Sequence, residues 1–270
     1  MQTPTYKLDN QDCLPWLSAQ KAESFQTFII DPPYNCNYKY RTYKDNKPPH
    51  HYLLEQLLVL SHCQRLLKPN GSIFYLNYPE TVAEVWARVD FLNKVEWINW
   101  TPHAHVKGSP FRKASRAWAW YSKDKPMINA EAFLGDYRNP TDHRVKKLIA
   151  KGLKPALYDW LDLEPVKNTS RQKRNHPCQV PEEMVERFIL GTSNPGDLMG
   201  DCYTGSGTTG ICAIRHGRNF AGCEIDPAYI RVAEAAIQTE ISAKENQLFD
   251  VRTTKLLSRD HNPNLITSKD

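Results

Sequence analysis

Asp201-Cys202-Tyr203-Thr204-Gly205-Ser206-Gly207-Thr208-Thr209-Gly210 is the stretch on which the fold turns. Its glycines follow the spacing G-x-G-x-x-G, behind a short apolar run that predicts a strand ending at Asp201. Apolar residues at helical spacing follow over about 208–216. Glycines at a strand-to-helix turn let the backbone approach a ligand closely. The next predicted strand, 219–224, ends on Glu224, and a helix is predicted over 227–239.

Working outward, the same alternation appears upstream. A short helix near 15–20 leads to a strand over 25–30, which stops at Asp31-Pro32-Pro33-Tyr34. A helix is predicted over 50–67, and Lys68-Pro69-Asn70-Gly71 reads as a stop and turn. Strands are predicted over 72–77, 95–100 and 117–122, with helices over 79–89 and 181–190. Strands alternating with helices imply an α/β fold, a doubly wound and mostly parallel sheet covered on both faces. Residues 126–175 show weak periodicity and dense charge, which marks an insertion. The expected division is therefore 1–125 and 176–245 as two parts of one α/β domain, 126–175 as the insertion, and 246–270 as a polar tail.

Composition is that of an ordinary globular chain, 40% hydrophobic and 24% charged. No apolar run approaches a membrane span, and the N-terminus lacks the basic and apolar regions of a signal peptide, so a cytoplasmic protein is expected. The seven cysteines form no C-x-x-C pair and no cluster at zinc spacing, which predicts buried thiols and no metal. From Thr101 to His176 there are sixteen Lys/Arg against seven Asp/Glu, although the whole chain is only +5. A basic middle on a balanced chain suggests a polyanionic partner.

A carboxylate such as Glu224 can bridge two ribose hydroxyls, so the glycine loop suits a dinucleotide and S-adenosylmethionine alike. Asp201 breaks the tie. It would repel a pyrophosphate but attract the ammonium of a methionine moiety. An NAD-dependent oxidoreductase would also leave Asp31-Pro32-Pro33-Tyr34 unexplained.

That tetrapeptide stands at a strand's carboxyl end, where open α/β sheets place their active sites. Methylating an aromatic amine is an in-line displacement, and acceptors on the two N–H bonds stabilise the charge that develops on nitrogen. Asp31 can supply one acceptor, and the carbonyl of Pro32 or Pro33 the other. Tyr34 offers a flat face to an extruded base.

Together these residues resemble the amino-group DNA methyltransferases, in the permuted (beta) class whose catalytic motif precedes the cofactor loop. The resemblance implies a Rossmann-like fold, S-adenosylmethionine as cofactor and DNA as partner. Asp31 to Tyr34 match the family's D-P-P-Y. Asp201 to Thr209 match D-P-F-x-G-S-G-T-T, with Cys202 and Tyr203 departing. By resemblance the cofactor-binding set is Asp12, Cys13, Asp31, His176, Pro177, Asp201, Tyr203, Gly205, Ser206, Gly207, Thr208, Glu224 and Asp226. In this set Gln11-Asp12-Cys13-Leu14 resembles G-D-C-L, and His176 to Pro181 resembles H-P-x-x-x-P.

The insertion takes the place of the family's target-recognition region. DNA contacts are expected there from Lys146, Lys147, Arg171, Lys173 and Arg174. Others are expected from Tyr38, Lys39 and Arg41, in a disordered-looking loop beside Tyr34. A leading Asp is usual for adenine N6 and a leading Ser for cytosine N4, so adenine is expected, with cytosine N4, RNA or protein amines and a non-enzymatic nucleic-acid binder as alternatives. Arg116 stands where members often carry Glu. The sequence leaves open a homodimer and a cognate restriction endonuclease.

Overall fold

The computed structural model describes residues 3–102, 114–166, 174 and 179–259. Among the described residues, eight strands form one sheet: β1 (Tyr6–Asn10), β2 (Phe25–Ile30), β3 (Leu67–Asn77), β4 (Asn93–Trp100), β5 (Arg116–Ser122), β6 (Trp160–Leu161), β7 (Leu198–Asp201) and β8 (Asn219–Glu224). Seven α-helices of the described residues accompany them: α1 (Cys13–Ala19), α2 (Pro49–Leu66), α3 (Pro79–Arg88), α4 (His143–Ala150), α5 (Glu182–Thr192), α6 (Thr208–Arg215) and α7 (Pro227–Arg259). The strand order is β1-β8-β7-β2-β3-β5-β4-β6. All pairings are parallel except those of β5 with β3 and β4.

Alternation of side chains across the sheet creates two cores. Phe28, Ile73, Tyr75 and Tyr121 pack with α1, α2 and α3 on one face. Ile29, Phe74, Trp118 and Trp120 pack with α5, α6 and α7 on the other. Trp118 is wholly buried, its indole edge-on to Phe188. It serves as core.

From β2 the chain crosses by α2 to β3 on one side, and from β7 it crosses by α6 to β8 on the other. β2 and β7 are neighbours, so the switch point lies between their carboxyl ends, Ile30 and Asp201. Ligand sites in open α/β sheets form in that crevice.

Several sequence expectations need correction. Periodicity does not predict β1; its short polar run becomes a strand only by parallel pairing with β8 at the sheet edge. The Lys68-Pro69-Asn70-Gly71 turn is absorbed into β3 as an irregularity, where pairing jumps from Phe25–Leu67 to Thr27–Ser72. The insertion is partly regular: Asp142 caps α4 by accepting from the Arg144 and Val145 amides, and β6 extends the sheet beside β4. The expected polar tail is helical through Arg259, because 228–259 contain neither Gly nor Pro to stop α7. Cys36 is exposed, whereas Cys13, Cys63, Cys202, Cys212 and Cys223 are buried; Cys178 lies outside the described residues.

Candidate active site

β2 is buried along its whole length and delivers Asp31 to the switch point. Asp31 keeps one edge open to a cavity of about 440 Å³ but has lost most of its hydration. Burial pushes its carboxyl up to about 7, against the pull of the Tyr34 hydroxyl and the Arg116 guanidinium. Tyr34 Oη donates to Asp31 Oδ1 at 2.8 Å.

The Pro-Pro turn is anchored from outside the motif. Tyr52 on α2 donates its hydroxyl to the Pro33 carbonyl at 2.6 Å, and Asn77 Nδ2 donates to Tyr52 Oη at 2.7 Å. With Pro33 engaged in this way, the Pro32 carbonyl is the better second acceptor for an amino group. Sequence reading misses Tyr52, since it looks like one more amphipathic helix position.

The loop after Tyr34, expected to be disordered, is ordered around a buried carboxylate. Asp45 accepts from the amides of Asn35, Cys36 and Tyr38 at 2.7, 3.0 and 2.9 Å. Asn35 and Asn37 take left-handed backbone, with φ of 56° and 61°. Asn tolerates this region better than most residues. The rings of Tyr38 and Tyr40 meet at a tilt of 59° with centroids 4.8 Å apart, and both residues line the cavity. Lys39 and Arg41 are exposed, and Arg41 Nε lies 3.9 Å from Asp226 Oδ2.

Asp201 at the end of β7 organises the glycine loop. Its Oδ1 accepts from the Tyr203 amide at 2.9 Å and its Oδ2 from Thr209 Oγ1 at 2.6 Å. Burial raises its carboxyl to about 7, assisted by the like charges of Asp31 and Glu224. Glu224 accepts from the Gly205 amide through Oε2 and from the Asp226 amide through Oε1, both at 2.9 Å. Gly207 begins α6 with φ +83°, and a Cβ there would lie 3.0 Å from the Ala233 backbone. Only glycine fits that turn.

Asp12, Cys13, Tyr203, Gly205, Ser206, Thr208, Glu224 and Asp226 line the same cavity as Asp31, Pro32, Pro33, Tyr34 and Asp201. Cys13 Sγ donates to Tyr203 Oη at 3.3 Å, and burial pushes its thiol up to about 12. His176, Pro177, Arg171 and Lys173 lie outside the described residues. Tyr78 and Arg116 also border the cavity. Six carboxylates line it, those of Asp12, Asp31, Glu55, Asp201, Glu224 and Asp226, against one cation among the described residues, Arg116. Such a cavity suits a ligand of net positive charge, as a sulfonium bearing an amino acid is.

The family model N6_N4_Mtase, DNA methylase, matches residues 25–235. The chain belongs to the DNA methylase family. It is a methyltransferase of the N6/N4 amino group type that acts on DNA. The DNA adenine methyltransferase YhdJ of Escherichia coli is 28% identical over 273 residues, covering 95% of this chain and 93% of that one. Among solved structures, the PvuII DNA methyltransferase, described as cytosine-N4-specific, superposes with a TM-score of 0.68 at 19% identity over 92% of this chain and 94% of its own. TTHA0409 of Thermus thermophilus, a putative DNA modification methylase solved with S-adenosylmethionine, superposes at 0.60 with 21% identity, over 88% and 95%. These two likenesses concern the fold.

In this family member one expected DNA contact is placed elsewhere. Arg174 is largely buried and paired with Glu182, whose other oxygen binds Arg215 at 2.7 Å. Arg215 also meets Glu186 and Glu240, so the network ties α5, α6 and α7 together. Arg215 thereby bridges the two carboxylates of Glu182, Glu186 and Cys212, the grouping at metal spacing among the described residues. Glu182 is buried and draws a cation to each of its oxygens, Arg174 to one and Arg215 to the other, which turns Arg174 inward. Arg174→Gln is expected to cost about 1–3 kcal/mol of stability. Thermal unfolding would register this, and the salt dependence of DNA binding should not move.

Proposed function

We propose that the protein transfers the methyl group of S-adenosylmethionine to N6 of adenine in DNA, after the base has left the helix. The observation that carries this reading is the meeting of Asp31 and the Pro-Pro turn with the glycine loop around one cavity. The cofactor, when bound, supplies an electrophilic methyl carbon on sulfonium. Glu224 and Asp226 suit its ribose and Asp201 its ammonium, and the excess of carboxylates in the cavity suits its net charge.

The chain's own residues then do three things. Asp31 accepts one N–H of the base's amino group, and the Pro32 carbonyl accepts the other. Both bonds strengthen as nitrogen becomes positive. Tyr34, edge-on to Tyr78 with ring centroids 5.2 Å apart, offers a stacking wall for the flipped base. The order of Asp31-Pro32-Pro33-Tyr34, headed by Asp and not Ser, and the 28% identity to an adenine methyltransferase support adenine over cytosine. Tritium transfer from labelled cofactor to DNA, followed by nucleoside analysis, should yield N6-methyladenine. N4-methylcytosine would overturn the base assignment and leave the chemistry standing.

Residues 126–175 are read as the target-recognition region. Lys146 and Lys147 are exposed on α4, as phosphate contacts require. Reversing both to Glu should flatten the log–log salt dependence of DNA binding by about 0.9 for each phosphate that is no longer neutralised. Cofactor affinity, read by calorimetry, should stay the same. An unmoved slope would take α4 off the DNA.

A further inference from the structure

Arg116 opens β5, and β5 runs antiparallel to β3. The first residue of β5 therefore lies at the catalytic edge of the sheet, where the parallel strands present their last. Pairing of Asn77 with Ala117 sets Arg116 beside Tyr78. Its guanidinium carbon lies 4.1 Å from the centre of the Tyr78 ring and 5.5 Å from that of Tyr34. Arg116 Nη1 donates to the Ser115 carbonyl at 2.9 Å, which steadies the group in that position.

We propose that Arg116 is a positioning residue for methyl transfer, bracing the aromatic wall of the base site and holding Asp31 in its acceptor form. The proposal rests on the reading of Asp31 given above. Arg116 from β5 lies against the ring of Tyr34, whose hydroxyl holds Asp31 Oδ1 at 2.8 Å. Among the described residues, the other titratable groups whose charge bears on Asp31 are Asp201 from β7 and Tyr75 from β3. Asp201 repels Asp31, and burial works in the same direction. A carboxyl that takes a proton there gains a donor, which would meet the donor hydrogens of the amine head-on. Arg116 is the cation that opposes this among the described residues lining the cavity, and stacking on Tyr78 aims it without blocking the base. Arg is suited to both tasks, being planar and permanently charged.

The test uses the full chain with Arg116→Gln, which removes the charge, and Arg116→Lys, which keeps the charge and loses the plane. Single-turnover methylation at saturating cofactor is followed from mildly acid to mildly alkaline buffer, with melting curves to establish folding. The wild-type rate should fall on the acid side as Asp31 is protonated. Arg116→Gln should move that limb up by about one pH unit or more. Its rate should recover toward the wild-type plateau in alkaline buffer. Arg116→Lys should leave the limb in place and raise the DNA concentration for half-maximal single-turnover rate about tenfold, with the maximal rate little changed. A merely structural role would lower the rate equally at every pH. A limb that does not move in Arg116→Gln, or a wild-type profile without an acid limb, overturns the proposal. Asp31→Ala, assayed alongside, separates the two readings. If it stays active, the role of Asp31 is wrong; if it is inactive while the Arg116→Gln limb is unmoved, only the Arg116 inference fails.

Discussion

Asp31→Ala will reduce methyl transfer by at least about a thousandfold, on the scale of lost transition-state electrostatics, while the protein still binds cofactor and DNA. The carboxylate stands at the end of a fully buried strand, held by Tyr34 Oη at 2.8 Å and reached from the cavity. On the proposed mechanism its bond to the amine strengthens as nitrogen becomes positive, so its loss should fall on turnover more than on KM. The substitution removes one of the six carboxylates that line the cavity, so a modest loss of cofactor affinity is expected beside the far larger loss of turnover. Asp31→Asn should be as inactive, because an amide can turn a donor toward the amine. Tyr34→Phe should be mild, within about tenfold, since the ring remains and only the hydroxyl bond goes. Quench-flow rates with mobility shift and calorimetry give the comparison. An Asp31→Ala protein turning over at a near-normal rate would sink the mechanism.

Glu224→Ala should raise the cofactor dissociation constant between about tenfold and a hundredfold. Its carboxylate ends β8 and already holds the Gly205 and Asp226 amides, at 2.9 Å each. On the proposed reading, its remaining lone pairs would accept from the two ribose hydroxyls in charge-assisted bonds of about 1.5–3 kcal/mol each. Burial raises the Glu224 carboxyl from its ordinary value, so the bonds weaken as pH falls toward it, and affinity should decline in acid sooner than an exposed Glu would predict. Glu224→Gln, still an acceptor but without charge, should fall between the two. Calorimetry at neutral and acid pH measures both effects. Equal affinity in Glu224→Ala and wild type would remove this residue from the site.

The strands and helices that carry these two residues are legible in sequence, because each is decided by its own neighbours. β2 is a run of buried residues stopped by two prolines, and β8 matches its expected span. The glycine loop is legible because left-handed turns such as that at Gly207 demand glycine. The helix expected over 227–239 stops twenty residues before the end of α7, although nothing in 240–259 forbids helix, so that boundary lay within reach of sequence. β1 and β6 did not. Each is a few residues long and exists through its partner, β8 or β4.

By itself the sequence determined the α/β class, the turn of the glycine loop, and the two acidic residues at the ends of β2 and β8. These follow from periodicity, proline and glycine stereochemistry, and the character of the residues that close each strand. Tertiary structure alone decided that β7 lies beside β2, bringing Asp201 against Asp31 although they are far apart in the chain. It also decided that β5 runs antiparallel and delivers Arg116 to the Tyr34–Tyr78 wall, that Tyr52 on α2 holds the Pro33 carbonyl, and that Arg174 serves Glu182. Strand order and direction are settled by pairing and by two packed faces between remote segments, and local periodicity carries no record of which partner a strand will meet.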